Sequence, residues 1–478
     1  MSNVQIAKTR RRVAAFAAAC ILATALPART RSGTPPASQP IEHLIVIYQE
    51  NWSFDSLYGK LPGADGLNNV PPLVKQVDKV TGTPLTALPQ PLIAAGKPDP
   101  NFPAGLPVGP YDAMKYIAPA VLTGDLVHRF YQQQSQIDGG KMDKVVSWSD
   151  NPGLTLSYFD ATDLPEGRFA RRFTIADNFF HSAFGGSLLN HVWLVCACTP
   201  IFPAPPAAMV AAVDGSGKGL ALDAGGQIVH DGAVSPDGYA VNTIFSVNAP
   251  HPAGVPAERL LPNQTLPTIG DRLSEANVSW KWYAGGWDDA LAGNPDPLFQ
   301  FHHQPFAYFA NFADGKAAKA AHLQDEKNFF GDLHNHTLPA VSFIKPLGAD
   351  NEHPGYASLL AGQKHVAELV DAIAASPYWR DSAIVITYDE NGGRWDHVAP
   401  PGPFDRWGPG MRVPTIVISP WAKRHFVDHT QYETVSILTF IEKRWNLKPL
   451  GTRDAAANPL DNAFDFSKPP DLAFDPIR

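Results

Sequence analysis

Three short runs of this chain carry side chains suited to holding a cation and moving a phosphoryl group. In Asp389-Glu390-Asn391-Gly392-Gly393 two adjacent carboxylates and an amide precede a glycine pair, and in Gln49-Glu50-Asn51 an acid and an amide recur in the same order. Carboxylate and amide oxygens are hard ligands for a divalent cation, and three carboxylates brought to one point repel each other without one. The third run, Gly185-Gly186-Ser187-Leu188-Leu189-Asn190-His191, places a hydroxyl just ahead of an apolar stretch. A serine at the N-cap of a helix there has backbone N–H groups and the positive end of the helix dipole beside it, which suits an anion. A hydroxyl is a weak nucleophile at its free pKa, and a divalent cation on its oxygen favours the alkoxide. Asn190 and His191 follow within one turn as donors. Each run also has an ordinary structural use, a solvated turn for the acids and a cap for Ser187. The repetition of the acid-amide device favours the chemical reading.

Two strands must deliver the acids. Residues 43–48 (HLIVIY) and 383–388 (AIVITY) are short apolar runs rich in β-branched residues and bounded by turn formers, the pattern of buried strands. Both acidic groups therefore leave strand C-termini, the edge at which open α/β sheets bind ligands. Residues 278–286, 342–346 and 413–419 read as further strands. Residues 358–376 form a helix closed by Pro377, with Leu359, Val366, Val370 and Ile373 on its apolar face, and 433–445 form a closing helix. Another helix starts after Asp125 with His128 in its first turn, where a histidine is ordinarily a surface or capping residue. Adjacent His302 and His303 point in different directions, so at least one faces outward. The alternation predicts an α/β fold, a mostly parallel sheet covered by helices on both faces.

Composition narrows the partners. A chain of 478 residues, 44% hydrophobic and 18% charged, is globular, with room for one large domain carrying insertions. A net charge of -8 and a pI near 6.0 give no basic field for nucleic acid. Lys8, Arg10, Arg11 and Arg12 precede an apolar run through Ala28, so residues 1–30 read as an export signal of the Sec or twin-arginine type. The mature chain is then periplasmic or secreted, with no integral membrane segment. Two cysteines remain, Cys196 and Cys198. At strand spacing their Cα atoms stand roughly 7 Å apart, so they read as buried thiols, a strained bridge being the alternative. Pro- and Gly-rich stretches at about 60–120 and 200–275 are insertions, the first a covering loop and the second carrying hairpins.

The ordered motifs IEHLIVIYQENWSFDSLYG, DNFFHSAFGGSLLNH, HHQPF, NEHPGYASLLAGQ and ITYDENGGRWDHVAPP resemble the bacterial phosphoesterase family of secreted acid phosphatases and phospholipases C. The resemblance covers residues 41–447, leaving 448–478 as a C-terminal tail. It implies an alkaline-phosphatase-like α/β fold, one divalent metal ion of unspecified identity, and a Ser or Thr nucleophile. By position, Glu50, Asn51, Asp389 and Glu390 match the family's metal ligands, and Ser187 matches the nucleophile that also touches the metal. His128, Asn190, His302 and His353 match groups around the phosphate, while His303 and His397 match motif positions without an assigned role. Many phospholipases of the family read Thr-x-Pro-Asn at the nucleophile, whereas Ser187-Leu188-Leu189-Asn190 resembles the acid phosphatase branch. The expectation is a secreted phosphoric monoester hydrolase working through a phosphoserine. The alternatives are a phospholipase C releasing phosphocholine from lipid and a non-enzymatic phosphate- or metal-binding protein. The sequence does not specify oligomeric state.

Overall fold

Residues that are apolar on every side pair best with a strand on each flank and a helix layer on each face, and the centre of this molecule obeys that rule. Strands β1 (His43–Gln49), β2 (Thr174–Ala176), β3 (Trp280–Ala284), β4 (Leu323–Asp325), β5 (Val341–Lys345), β6 (Ser382–Tyr388), β7 (Thr415–Ile418) and β8 (Phe426–Asp428) form one eight-stranded sheet. The order across it is β8-β2-β7-β6-β1-β5-β3-β4. β6, β1, β5, β3 and β4 run parallel, and β7 is antiparallel to both of its neighbours. The computed structural model describes residues 39–477. The segment 1–30, read as an export signal, lies outside them.

Leu44, Ile45, Val46 and Ile47 of β1 and Ala383 through Ile386 of β6 are fully buried, so both faces of the central strands are covered. The main helices are α1 (Phe130–Ile137), α2 (Ser187–Cys196), α3 (Leu359–Ala374) and α4 (Thr434–Trp445), and α2 packs against α4. In α3 the buried Leu359, Val366, Val370 and Ile373 follow the expected helical spacing, and Ser358 caps the helix by accepting from Ala361 N. The fold class is therefore as expected: α/β, with a mostly parallel sheet.

Three local expectations differ from the structure. His128 precedes α1 rather than entering its first turn, because the helix starts only at Phe130. Ser187 is the first residue of α2, and Gly186 occupies the cap. Cys196 and Cys198 are joined in a disulfide. The strand spacing assumed for them does not apply: Cys196 ends α2, Ala197 takes a left-handed conformation at φ 50°, and the Cα atoms close to 5.1 Å.

The two insertions differ in character. The stretch 59–119 covers its own small core of Leu67, Leu88, Leu106 and Val108, joined by Met142, Val145, Trp395 and Met411. In the second, antiparallel bridges join Val213 to Leu220, Leu222 to Ile228 and Val234 to Ala240, the hairpin pattern its turn residues predict.

Candidate metal centre and nucleophile

β1 and β6 pair in register with Gln49 beside Tyr388, so Glu50-Asn51 and Asp389-Glu390 leave the sheet side by side. The chain then folds back on itself. Asp389 Oδ1 accepts from Asn51 N at 3.1 Å and from Glu390 N at 2.8 Å, and Glu390 Oε2 accepts from Gly392 N at 2.7 Å. Asn51 holds φ 69°, and Gly392 follows at φ 60° with no room for a Cβ, which would stand 2.2 Å from Asn51 O. Only glycine suits that position. Glu50, Asn51, Asp389 and Glu390 are all fully buried.

The second element arrives through a turn. Gly185 lies at φ 86° with Phe130 N 2.4 Å from where a Cβ would be. This lets the chain enter α2 with Ser187 Oγ donating to Glu50 Oε2 at 2.9 Å. Asn190 serves that turn: its Nδ2 donates to Gly185 O and Gly186 O, and its Oδ1 accepts from Ala183 N. Gln133 supports the same turn by accepting from Gly185 N at 2.8 Å.

Histidines surround the acids. His303 Nε2 stands 3.1 Å and His191 Nε2 3.7 Å from Glu50 Oε1, and His128 Nε2 stands 3.9 Å from Glu390 Oε1. The rings of His128 and His353 meet edge to face at 5.4 Å, and half-buried His302 lies 6.3 Å from His191. The structure thus gathers Glu50, Asn51, Ser187, Asp389, Glu390, His128, His302, His303 and His353 around one region. His397 is elsewhere, bonded to Asp55 and Asp65. Trp52 and Phe54 lie beneath Arg394 and Arg412, as packing residues.

One participant was not singled out from sequence. Lys345, the last residue of β5, is fully buried with its Nζ 2.5 Å from Glu50 Oε1 and donating to Tyr48 O at 2.8 Å. Its signal was a lysine ending an apolar strand, VSFIK. Beneath the site, Glu352 accepts from Gln49 Nε2 at 2.8 Å, and the Tyr388 hydroxyl lies 2.8 Å from Glu352 and 3.0 Å from Glu166. Burial pushes both of those carboxyls up, Glu352 to about 7.

Electrostatics test whether a cation belongs here. Burial and then Glu50 push Asp389 well above its ordinary pKa, and burial and then Asp389 do the same to Glu390. Burial would also raise Glu50, but Lys345 and His303 outweigh it and hold Glu50 well below the usual range. Burial holds His191, His302, His303 and His353 below their usual value, His303 at about 4. Ionised together, the three carboxylates against one ammonium leave two negative charges, which one divalent cation would offset and so hold all three ionised. The amide oxygen of Asn51 also points at acceptors: 3.0 Å from Glu390, 3.1 Å from Glu50 and 3.2 Å from Asp389. Turning the amide over would put its NH2 there. However, the Nδ1 of His353 lies 2.5 Å from Pro354 O and carries the hydrogen, so its Nε2 is an acceptor and takes the NH2 at 2.8 Å. Four inward oxygens with no donor among them fit a hard divalent cation.

Fold and site together describe an α/β protein with an oxygen-lined cluster that fits a cation, beside a helix-borne serine. Residues 41–448 match the Phosphoesterase family, and the chain belongs to it. It is 28% identical over 505 residues to the non-hemolytic phospholipase C of Burkholderia pseudomallei, covering 94% of this chain and 62% of that protein. It is 25% identical over 473 residues to phospholipase C A of Mycobacterium tuberculosis, covering 90% of this chain and 78% of that one. The chain therefore spans less than two thirds of the first relative's length. Among solved structures it is similar to a protein in the alkaline phosphatase superfamily from Vibrio parahaemolyticus. The TM-score is 0.33 at 10% identity, covering 71% of this chain and 73% of the other, too slight a likeness to bear on the site.

Proposed function

We propose that the protein is an exported, divalent-cation-dependent acid phosphatase that hydrolyses phosphate monoesters through a phosphoserine at Ser187. The observation that carries this reading is the Ser187 hydroxyl, bonded to Glu50 at 2.9 Å beside the inward oxygens of Asn51, Asp389 and Glu390. Glu50, Asn51, Ser187, Asp389 and Glu390 would hold a divalent cation, which would supply positive charge to favour the Ser187 alkoxide and offset charge on the phosphoryl oxygens. Ser187 Oγ attacks phosphorus, the ester oxygen leaves with a proton, and water then cleaves phosphoserine to free phosphate and Ser187. The first N–H groups of α2 have no partner within the helix and suit phosphoryl oxygens. His128 and His353 each hold Nδ1 against a backbone carbonyl at 2.5 Å, so Nδ1 carries the hydrogen and Nε2 keeps a lone pair turned inward, where a proton can be taken up and passed to the leaving oxygen; His302 stands beside them. Asn190 positions the Ser187 turn.

The serine in Ser187-Leu188-Leu189-Asn190 supports the monoesterase branch. The names of the curated relatives favour a second reading, a phospholipase C using the same serine and cation site. Among the described residues no helix is long and apolar enough to cross a membrane. The purified mature protein, assayed in parallel on p-nitrophenyl phosphate and phosphatidylcholine with elemental analysis of the same sample, decides between the readings. A higher kcat/KM on the monoester is expected. A higher value on phosphatidylcholine replaces the phosphatase with the phospholipase.

A further inference from the structure

We propose that Lys345 is a built-in cation that fills what would otherwise be a second, nitrogen-rich metal site, and that it thereby limits the centre to one divalent ion. The inference rests on the metal-dependent reading above. Glu50 serves two neighbourhoods: its Oε2 meets Ser187 and the inward oxygen of Asn51, while its Oε1 meets Lys345 Nζ at 2.5 Å, His303 Nε2 at 3.1 Å and His191 Nε2 at 3.7 Å.

A carboxylate and two imidazoles, whose ligand atoms lie within 4.8 Å of one another in the buried interior, have the composition that zinc and similar borderline cations favour. His191 is already set as a ligand. Its Nδ1 stands 2.7 Å from Ser187 O and carries the hydrogen, so Nε2 presents a lone pair toward Glu50. The His191 and His303 rings lie parallel, 5.0 Å apart, and neither Nε2 has a well-directed hydrogen-bond partner; the same holds for Glu50 Oε1. The electron pairs of Glu50 Oε1 and His191 Nε2 thus converge with His303 Nε2 where, among the described residues, only the Lys345 ammonium supplies positive charge. That ammonium is anchored by Tyr48 O at 2.8 Å and stands 5.4 Å over the Tyr48 ring, so it cannot swing away without breaking into β1. A divalent ion beside it would meet a fixed like charge. A neutral side chain at 345 would remove that repulsion and leave three carboxylates with no internal cation.

The test counts ions. Wild type and Lys345→Met, each stripped with chelator and dialysed against excess zinc, are analysed for metal per folded chain. Wild type is expected to hold one ion and Lys345→Met two, and adding His303→Ala to Lys345→Met is expected to return the count to one. Lys345→Gln repeats the measurement with a polar replacement, and circular dichroism with zinc present confirms that the counted chains are folded. A folded Lys345→Met or Lys345→Gln chain that still holds one ion overturns the inference. Wild type settles the question by itself if neither variant folds: one ion that His303→Ala leaves in place supports the inference, and two ions, one lost with His303→Ala, overturn it. A wild-type chain that holds no ion, or whose ion survives Asp389→Ala, instead overturns the metal-dependent reading beneath.

Discussion

The loops after β1 and β6 each contribute to two buried acidic clusters, and the two clusters are neutralised by different means. Nearest the strands, Glu50, Asp389 and Glu390 have, among the described residues, Lys345 alone as an internal cation. A few residues further on, Asp55 and Asp396 meet Arg412, which is 1% exposed. Its Nε donates to Asp396 at 2.8 Å, its Nη2 to Asp55 at 3.1 Å, and its Nη1 to Asp65 O and Asp177 O. His397 completes that cluster against Asp55. Two carboxylates facing a guanidinium and an imidazole need nothing from outside. Three carboxylates and an amide oxygen facing one ammonium are left with charge that a divalent ion would offset. The same residue types on the same loops thus form a clamp in one place and, on the proposed reading, a reaction centre in the other, with the supply of internal positive charge as the difference.

Substitutions in each cluster should separate the two roles. Ser187→Ala should lower kcat by at least about a thousandfold while keeping one bound ion, since a nucleophile has no substitute but four other ligands remain. Steady-state kinetics with metal analysis checks this, and near-normal turnover would remove Ser187 from the chemistry. Asp389→Ala should weaken metal binding by at least about a hundredfold and lose activity in step, followed by titration calorimetry; full activity in metal-free Asp389→Ala would refute the cation's role. Arg412→Met should behave in the opposite way, costing about 3–5 kcal/mol of stability by stranding buried Asp55 and Asp396, with the ion count unchanged. Urea unfolding measures the first and elemental analysis the second, and a lost ion would merge the two clusters into one.

The smallest effect concerns pH. Burial lowers the His397 pKa, but the bond to Asp55 outweighs it and brings the group to about 9. A folded value above the unfolded reference of about 6.5 means that the stabilisation is complete below that pH and is lost as pH rises through about 9. The stability gap between wild type and His397→Ala should therefore narrow between pH 6 and pH 10. A gap that widened would reverse the sign of the interaction.

Much of the oxygen cluster was legible because its two strands are continuous apolar runs, each ending in its acid-amide group, and because parallel pairing aligns such ends. What decided charge balance was not. Lys345 lies on β5, and no local pattern says that β5 is the other neighbour of β1 or that its last side chain turns back to Glu50. Arg412 is likewise remote in sequence from Asp55. The antiparallel β7 reads like any buried strand, since direction leaves no mark on an apolar run. The Cys196–Cys198 bridge, the alternative to two buried thiols in the sequence, forms because the left-handed Ala197 at the end of α2 folds shut a spacing that an extended strand would hold open. Ser187 was placed one position early for a similar reason, as Gly186 has no side chain to announce a cap.

The most direct measurement is acid quenching of the metal-loaded protein during turnover of p-nitrophenyl phosphate, followed by peptide mass spectrometry. The account predicts one phosphate on Ser187, abolished by prior chelation and restored by the divalent ion. Phosphate on a histidine, on no residue, or on Ser187 with the metal stripped would contradict it.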